Sequence, residues 1–480
     1  MKVMDSDLRE LFAAVASALL LTLAFPPLNL YWLAWVALVP FLLVIYQAKT
    51  WTRAGQLGAI FGLSFFGVHL FWLTSLFSFV GWWSVVGWLA LVIWQALFIV
   101  LFAIVLSCCS FFKAKFIYPL VTALLWVAVE YLRSSGPFGV TAGDLGYAQA
   151  LCLPIVQLAA RVSVYGLSLL LVLTNAIIVA WLVNPRRVRA GFAFCLVFFL
   201  ALVYAFGLFE MQAKEGLDQA MIKVALVQPN IKQQDKLDPT KVMSTFELYA
   251  RLTRQASKLH PDLVIWPETA VFAYLTNDAY FLSRLQSLTK ETGVWLVFGT
   301  PYYESGKAYN SMVVMSPSGE VTGRYDKGHL VPFGEYLPFR SLLYSWLKRV
   351  GYYERDFSPS PPIKLMVKGQ EIAAAVCFES VFPNLIRSRV TSLSRFILLV
   401  TNDAWFDGSA AAEFHLNCGI LRAIENRKYF VQVATTGRTA VIDPWGRVIK
   451  KLQPYTQGIL FTKIPGEKKI ARSKLGIVLQ

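Results

Sequence analysis

Charge is scarce in this sequence: only 15% of its 480 residues are charged, against about 25% in an ordinary soluble protein. Acidic residues are the scarcer sign, 29 against 45 basic, which leaves a formal net charge of +16. The excess is not gathered into a basic block and no nucleic-acid motif accompanies it, so no nucleic-acid partner is expected. Cytoplasmic loops and anionic headgroups explain it better. Cysteine pairing is also missing. None of the six cysteines forms a C-x-x-C pair, and Cys108, Cys109 and Cys195 lie in apolar runs. Neither a disulfide framework nor a zinc site is indicated, and no metal or cofactor is expected. No small-residue cleavage site separates the first apolar run from the second, so the first reads as a retained span rather than a signal peptide.

What the chain has in abundance is hydrophobic residues, 56% of the total. Almost all the long apolar runs fall in the first half. They lie near Leu11–Phe25, Leu28–Tyr46, Leu57–Phe77, Val85–Leu106, Phe116–Leu132, Val164–Val183 and Phe192–Phe209, and each is long enough, or nearly so, to cross a hydrocarbon core of about 30 Å. Lys49, Arg53, Lys113, Lys115, Arg186, Arg187 and Arg189 fall in the loops after the even spans; the other loops carry only Arg133 and Arg161. By the positive-inside rule the even loops are cytoplasmic. An odd number of spans then delivers the second half to the opposite face. His69 and Glu130, the ionisable groups inside the runs, read as structural polar contacts rather than a transport path. The expected division is a membrane domain over 1–220, an extracytoplasmic catalytic domain over 221–467, and a short basic tail over 468–480, too short and too basic to cross.

From Met221 apolar strands alternate with amphipathic helices, which indicates a layered α/β domain with a mixed sheet. Ala373-Ala374-Ala375-Val376 reads as a buried strand, and it ends in Cys377 with Glu379 two positions later. Two further reactive groups also stand just after strands: Glu268 behind Leu263-Val264-Ile265-Trp266-Pro267, and Lys327 behind a hairpin turning at Pro317-Ser318-Gly319. Taken singly, these are a solvated glutamate beside a proline, a surface lysine and a core cysteine. Together they suit acyl transfer. Glu268 serves as general base and acid, Lys327 lowers the thiol pKa and holds developing oxyanion charge, and Cys377 forms a thioester.

Trp266-Pro267-Glu268, the run from Tyr325 to Tyr336 (YDKGHLVPFGEY) and Val376-Cys377-Phe378-Glu379 resemble the three signature blocks of the nitrilase (carbon–nitrogen hydrolase) superfamily. The block around Lys327, Asn402-Asp403-Ala404-Trp405-Phe406, the stretch Arg422–Arg427, Pro26-Pro27 and Tyr165-Gly166-Leu167-Ser168 are similar to the apolipoprotein N-acyltransferase branch. The resemblance implies a polytopic α-helical membrane domain joined to an αββα layered sandwich. It implies a monomer that moves an acyl chain from a membrane phospholipid, phosphatidylethanolamine by expectation, through Cys377 to the α-amino group of a diacylglyceryl-modified apolipoprotein. It also implies supporting roles for Glu335, Glu379 and Phe378, and a location in the bacterial inner membrane with the catalytic domain on the periplasmic side. The aromatic and basic stretch containing Tyr344, Trp346 and Leu347 suits a mobile arm at the membrane interface; an ordinary packed helix is the other reading. Three features depart from the branch: Leu237 stands where its pattern has a tryptophan, the loop Phe406–Glu413 is atypical in its residues, and its usual final span has no counterpart in the tail. A membrane-tethered amidase acting on a small carbon–nitrogen substrate, and a catalytically silent scaffold, are the alternatives.

Overall fold

The computed structural model describes residues 6–109, 117–184, 186–212, 221–271, 274–349, 356–361 and 363–465. The tail expected over 468–480 lies outside the described residues. The first half is helical: α1 (Ser6–Leu23), a 3-10 turn (Tyr31–Trp35), α2 (Val39–Gln47), α3 (Trp51–His69), a second 3-10 turn (Phe71–Leu76), α4 (Phe77–Val80), α5 (Trp83–Cys108), α6 (Tyr118–Arg133), α7 (Leu153–Val156), α8 (Ala159–Val183) and α9 (Arg186–Glu210). Each predicted apolar run contains helix, but two are cut differently from the prediction. The second begins as a 3-10 turn and becomes a nine-residue helix with Pro40 in its first turn, where a missing N–H costs nothing. The third bends by 49° after His69. Among the described residues, α5 and α8 are each long and apolar enough to cross a membrane, and α3 with its bent continuation makes a third.

Helices in lipid gain little from burying apolar surface, so close backbone approach and polar contacts hold them together. The α3–α5 pair shows the first device. A Cβ added at Gly58 would lie 2.9 Å from Ala103 Cβ, and one added at Gly62 would lie 2.9 Å from Ala96 Cα. The second device centres on α6. Arg133 pairs with Asp144 and donates to Gln95 Oε1 at 2.8 Å, while Glu130 Oε1 accepts from Trp126 Nε1 at 2.8 Å and from the Leu145 amide at 2.9 Å. His69 stacks on Phe65 with ring centroids 5.2 Å apart. Both ionisable groups of the apolar runs are thus engaged in packing.

Among the described residues the second half is built on twelve strands: β1 (Ile222–Gln228), β2 (Leu263–Ile265), β3 (Trp295–Glu304), β4 (Lys307–Met315), β5 (Val321–Asp326), β6 (Leu365–Val367), β7 (Gln370–Val376), β8 (Ile397–Thr401), β9 (Phe430–Ala434), β10 (Ala440–Ile442), β11 (Val448–Lys451) and β12 (Gly458–Ile464). They form two six-stranded sheets, ordered β12-β1-β2-β3-β4-β5 and β11-β10-β9-β8-β7-β6. Each sheet has a parallel centre, β1-β2-β3 or β7-β8-β9, with antiparallel strands outside it. The helices are α10 (Gln233–Leu237), α11 (Val242–Ser257), α12 (Ala279–Thr292), α13 (Arg340–Arg349), α14 (Pro383–Arg389) and α15 (Ala411–Asn426).

Side-chain alternation sets the layers. In β7, Ala374 and Val376 join Leu398 and Val400 against Leu226, Ile265 and Val297 of the other sheet. Their neighbours Ala373 and Ala375 face the opposite way, toward Leu416, Ile420 and Ile424 of α15. The first sheet's outer face packs on α11 and α12 through Tyr249, Leu252, Leu285 and Leu288. Strands buried on both faces read as unbroken apolar runs, and the order of layers is α-β-β-α.

The α15 layer does not end in solvent. Its core is continuous with that of the membrane half, and a set of buried polar bonds crosses the junction. Tyr147 Oη donates to the Val381 carbonyl at 2.6 Å and accepts from Arg422 at 3.2 Å. Glu425 Oε1 accepts from the Ser163 hydroxyl at 2.9 Å and the Val164 amide at 2.8 Å. Gln157 donates to the Trp445 carbonyl at 2.9 Å. The motif stretch Arg422–Arg427 is therefore a docking surface for the helices.

The glycine packing predicts opposite signs for one substitution at two sites on the same helix. Gly67 has open space where its Cβ would be, whereas Gly62 meets backbone. Gly67→Ala should be neutral or stabilising by up to about 1 kcal/mol, the usual helix-propensity gain. Gly62→Ala should destabilise, within the 1–3 kcal/mol typical of overpacking. Thermal unfolding in detergent measures both.

Candidate active site

Each candidate group sits where a strand stops. Glu268 follows β2, Lys327 follows β5 and Cys377 follows β7. The sandwich brings together the ends of strands from both sheets, so residues far apart in sequence converge. Asn310 of β4 donates to Glu268 Oε1 at 2.8 Å, and the Asn402 amide donates to Oε2 at 2.9 Å. These two N–H donors, one on each oxygen, fix the orientation of the Glu268 carboxylate beside Lys327. Lys327 Nζ lies 3.9 Å from Glu268 Oε1 and 2.8 Å from Glu335 Oε2.

Glu335 works as a bracket. It accepts from Lys327 Nζ at 2.9 Å, from Asn310 Nδ2 at 2.8 Å and from the Val331 amide at 2.8 Å. Lys327 is buried, and burial alone would depress its pKa; the carboxylates of Glu335 and Glu268 outweigh that and raise it above the ordinary lysine value. Its charge is therefore fixed.

Glu379 is also buried, and six donors reach its two oxygens. Oε1 accepts from the Gly328 amide at 2.8 Å, the His329 amide at 3.0 Å and Arg389 at 2.7 Å. Oε2 accepts from Tyr325 Oη at 2.8 Å, the Val376 amide at 2.9 Å and Arg389 at 2.9 Å. Burial works against its charge, but the Arg389 guanidinium and these bonds hold its pKa below the usual carboxylate value. Glu379 has no acceptor site left for a substrate proton. It ties the end of β5, the Lys327 loop and the end of β7 to one point.

Cys377 has a left-handed backbone, φ 50°, between β7 and a 3-10 turn over Cys377–Val381. Its thiol pKa is raised, first by burial and then by the Glu268 carboxylate; Lys327 and the Thr401 hydroxyl pull it back only in part. Lys327 does act to lower the thiol pKa, but burial and Glu268 outweigh it. At rest the sulfur keeps its proton and needs a base to remove it. Phe378 packs edge-on to Phe382 with centroids 5.1 Å apart, and His329 stands 6.2 Å from the Phe378 ring.

The region expected to form an arm contains α13. Arg340 lies over the Tyr344 ring at 4.2 Å and bonds Asp356 at 2.7 Å. Leu347 is buried, while Leu342 is 75% exposed and Phe339 66% exposed, the latter stacked on Phe138 at 5.9 Å. The Trp346 side chain and residues 350–355 lie outside what is described. Leu237 is exposed at the end of α10, whereas Lys236 before it is buried and donates to the Glu268 carbonyl at 2.8 Å. Asn310, Arg389 and His415 were missed in the sequence, and Lys236 was met there only as the lysine of the branch's pattern before Leu237. Of the three missed, Asn310 alone left a trace there, as a polar residue inside the apolar β4.

Two measurements probe this geometry. Glu379→Gln would leave the Arg389 charge buried without its partner, a change that costs about 3–5 kcal/mol in comparable sites; the thermal midpoint and the yield of folded protein should both fall sharply. Lys236 has its pKa lowered to about 8, chiefly by burial, whereas in the unfolded chain it titrates near 10.4. Between those values the unfolded state binds the extra proton, so stability rises with pH. The melting temperature of wild type relative to Lys236→Met should therefore climb between pH 7 and pH 9.5.

Comparison with known proteins agrees with this architecture. The profile described as Carbon-nitrogen hydrolase matches residues 223–469, and that described as Apolipoprotein N-acyltransferase N-terminal domain matches residues 17–177. A curated apolipoprotein N-acyltransferase of Geobacter metallireducens is 36% identical, the match covering 92% of this chain and 86% of that protein. One of Nitrosomonas europaea is 31% identical over 95% of this chain and 91% of its own length. Among solved structures, an amidase from Nesterenkonia sp. aligns with a TM-score of 0.40 at 20% identity, over 52% of this chain and 94% of that one. Likeness running through both the helices and the Cys377 domain makes this membrane enzyme a member of the apolipoprotein N-acyltransferase family, within the carbon–nitrogen hydrolase superfamily.

Proposed function

We propose that this enzyme transfers an acyl chain from a membrane phospholipid to the α-amino group of the N-terminal diacylglyceryl-cysteine of apolipoproteins, through a thioester on Cys377. The carrying observation is where the site stands. The loop whose Asn402 amide holds Glu268 continues directly into Trp405 and Phe406. Those two rings pack edge-on against Phe79 and Trp72 of the helical half, at 5.2 and 4.9 Å. A reactive group beside membrane helices meets substrates whose acyl chains stay in the bilayer.

Glu268 accepts the thiol proton as Sγ attacks the ester carbonyl, and Lys327 stabilises the negative charge that develops on the carbonyl oxygen. The bond to the glycerol oxygen breaks, Glu268 returns the proton to that oxygen, and the lysophospholipid leaves. The α-amine then attacks the thioester carbonyl. Its proton passes through Glu268 to sulfur as the carbon–sulfur bond breaks, yielding the amide and the free thiol. Glu335 fixes Lys327, Glu379 fixes the strand ends, and Phe378 lines the nucleophile. Tyr344, Trp346 and Leu347 belong to an arm over the site.

Phosphatidylethanolamine is the proposed donor. A monomer is the proposed state, with Glu268, Lys327 and Cys377 all drawn from one chain. Residues 1–220 form the inner-membrane domain, and the distribution of basic loops puts the catalytic domain, residues 221–467, on the periplasmic side.

Incubation with phosphatidylethanolamine followed by intact-mass analysis tests the reading. An acyl-sized increment should appear, be removed by hydroxylamine and be absent in Cys377→Ala. Glu268→Gln should slow its formation by roughly 10²–10⁴-fold, the usual contribution of a general base. A wild-type mass that never shifts while a small amide is hydrolysed would replace this reading with an amidase.

A further inference from the structure

The acyl-transfer chemistry leaves one buried ionic pair without a part. A left-handed backbone at a residue with a side chain costs on the order of 1–3 kcal/mol and persists only where the surroundings over-determine it. Cys377 has such a backbone. Its carbonyl accepts from the Ser380 hydroxyl at 3.1 Å, one turn away, and from His415 Nε2, also at 3.1 Å, which reaches across from α15. The other ring nitrogen, Nδ1, lies 3.0 Å from Asp403 Oδ1, and the Thr401 hydroxyl donates to that same oxygen at 2.9 Å.

The two closer partners of the imidazole, the Cys377 carbonyl and the Asp403 carboxylate, are acceptors, while the Thr401 hydroxyl lies at a longer 3.4 Å from Nδ1. With a hydrogen donated from each ring nitrogen to these acceptors, the ring is an imidazolium. Burial opposes that charge, and the Asp403 carboxylate overcomes it, so the histidine pKa is raised. The pair is tightly seated: a Cβ on Gly437 would lie 2.3 Å from Asp403 Oδ2, so only glycine leaves room for the carboxylate.

We propose that Asp403 and His415 form a positioning clamp on the nucleophile, in which the His415 imidazolium holds the Cys377 carbonyl and thereby keeps the backbone in the left-handed turn that presents Sγ to Glu268 and Lys327. The clamp rests on the reading of Cys377 as the acylated residue. Neither residue touches substrate; each acts through the backbone of Cys377. Asp403 fixes the ring's orientation and charge, and Thr401, at the end of β8, bonds the carboxylate and flanks the thiol. Because His415 belongs to the helix that docks on the membrane half, the clamp also ties the nucleophile's conformation to that docking.

The experiment is single-turnover acylation by phosphatidylethanolamine, followed by intact mass over a range of lipid concentrations, alongside thermal unfolding of the same full-length samples. In His415→Phe the ring volume remains but both donors are lost. The maximal acylation rate should fall by roughly 10²-fold, the scale of an ångström-sized misplacement, while the lipid concentration for half-maximal rate stays unchanged. In His415→Gln the side-chain amide can still reach the Cys377 carbonyl, and at least tenfold of the loss should return. In His415→Asn the amide can meet Asp403 but falls short of the carbonyl, so acylation should stay as slow as in the Phe variant.

The order Gln above Asn decides the matter even if the Phe variant does not fold. Equal rates in the Gln and Asn variants, or a melting temperature that falls while the rate per folded molecule stays at the wild-type value, would overturn the clamp. A wild-type enzyme that never acylates would instead overturn the Cys377 reading on which the clamp stands.

Discussion

A carboxylate removed from water must be paired and hydrogen-bonded or it will take up a proton. Glu379 meets that requirement with six donors, and meeting it fixes most of the site. Its donors come from Tyr325 in β5, the amides of Gly328 and His329 in the loop that carries Lys327, the amide of Val376 at the end of β7, and Arg389 at the end of α14. These belong to two sheets and to the helix beyond the second. Lys327 and Cys377, one residue outside the donor set on either side, are thereby held in register with each other. The catalytic geometry follows from satisfying a charge that takes no part in the chemistry.

A second constraint comes from the four-layer architecture. In such a sandwich the outer helices need only one apolar face, and the other is ordinarily left to water. Here α15 is apolar on both sides, and its second face shares a core with the membrane helices. The junction is made specific by polar groups buried with their partners, Tyr147 with Val381 and Arg422, and Glu425 with Ser163 and Val164. Val381 ends the 3-10 turn that begins at Cys377. The contact that docks the domain therefore lies four residues from the nucleophile.

Much of this was legible in the sequence, for physical reasons. Strands buried on both faces give near-continuous apolar runs, so β1, β2, β7 and β8 stood out, and the reactive residues at their ends stood out with them. The hairpin of β4 and β5 was marked by Pro317-Ser318-Gly319. Elements whose order depends on tertiary pairing were missed. The three-residue β6 exists by pairing with β7, and β12 pairs with β1 from more than two hundred residues away. Arg389 and His415 gave no signal because an arginine near a helix end and a histidine in an amphipathic helix are ordinary there; only the folded chain shows that they converge on Glu379 and Cys377. The balance of effects on the thiol was only half legible, for a related reason. The sequence puts a lysine near the cysteine but cannot show how far burial and Glu268 counter it.

The resting thiol and the saturated lysine belong together. Lys327 spends its charge on Glu335 and Glu268, so in the free enzyme little of it remains to hold a thiolate. In the proposed transfer, a proton moving from sulfur to Glu268 neutralises that carboxylate, and its claim on Lys327 lapses. The ammonium is then released toward whatever negative charge has appeared beside it, first on sulfur and next on the carbonyl oxygen. Proton transfer and electrostatic stabilisation are thus coupled through one shared cation. Such a site is quiet until an acyl carbonyl is in place to receive the charge. That restraint suits an enzyme whose thioester must last until an amine arrives. The Glu268 support from Asn402 also lies on the loop that reaches the aromatic rings of the membrane half, so the proposed base is anchored beside the helices.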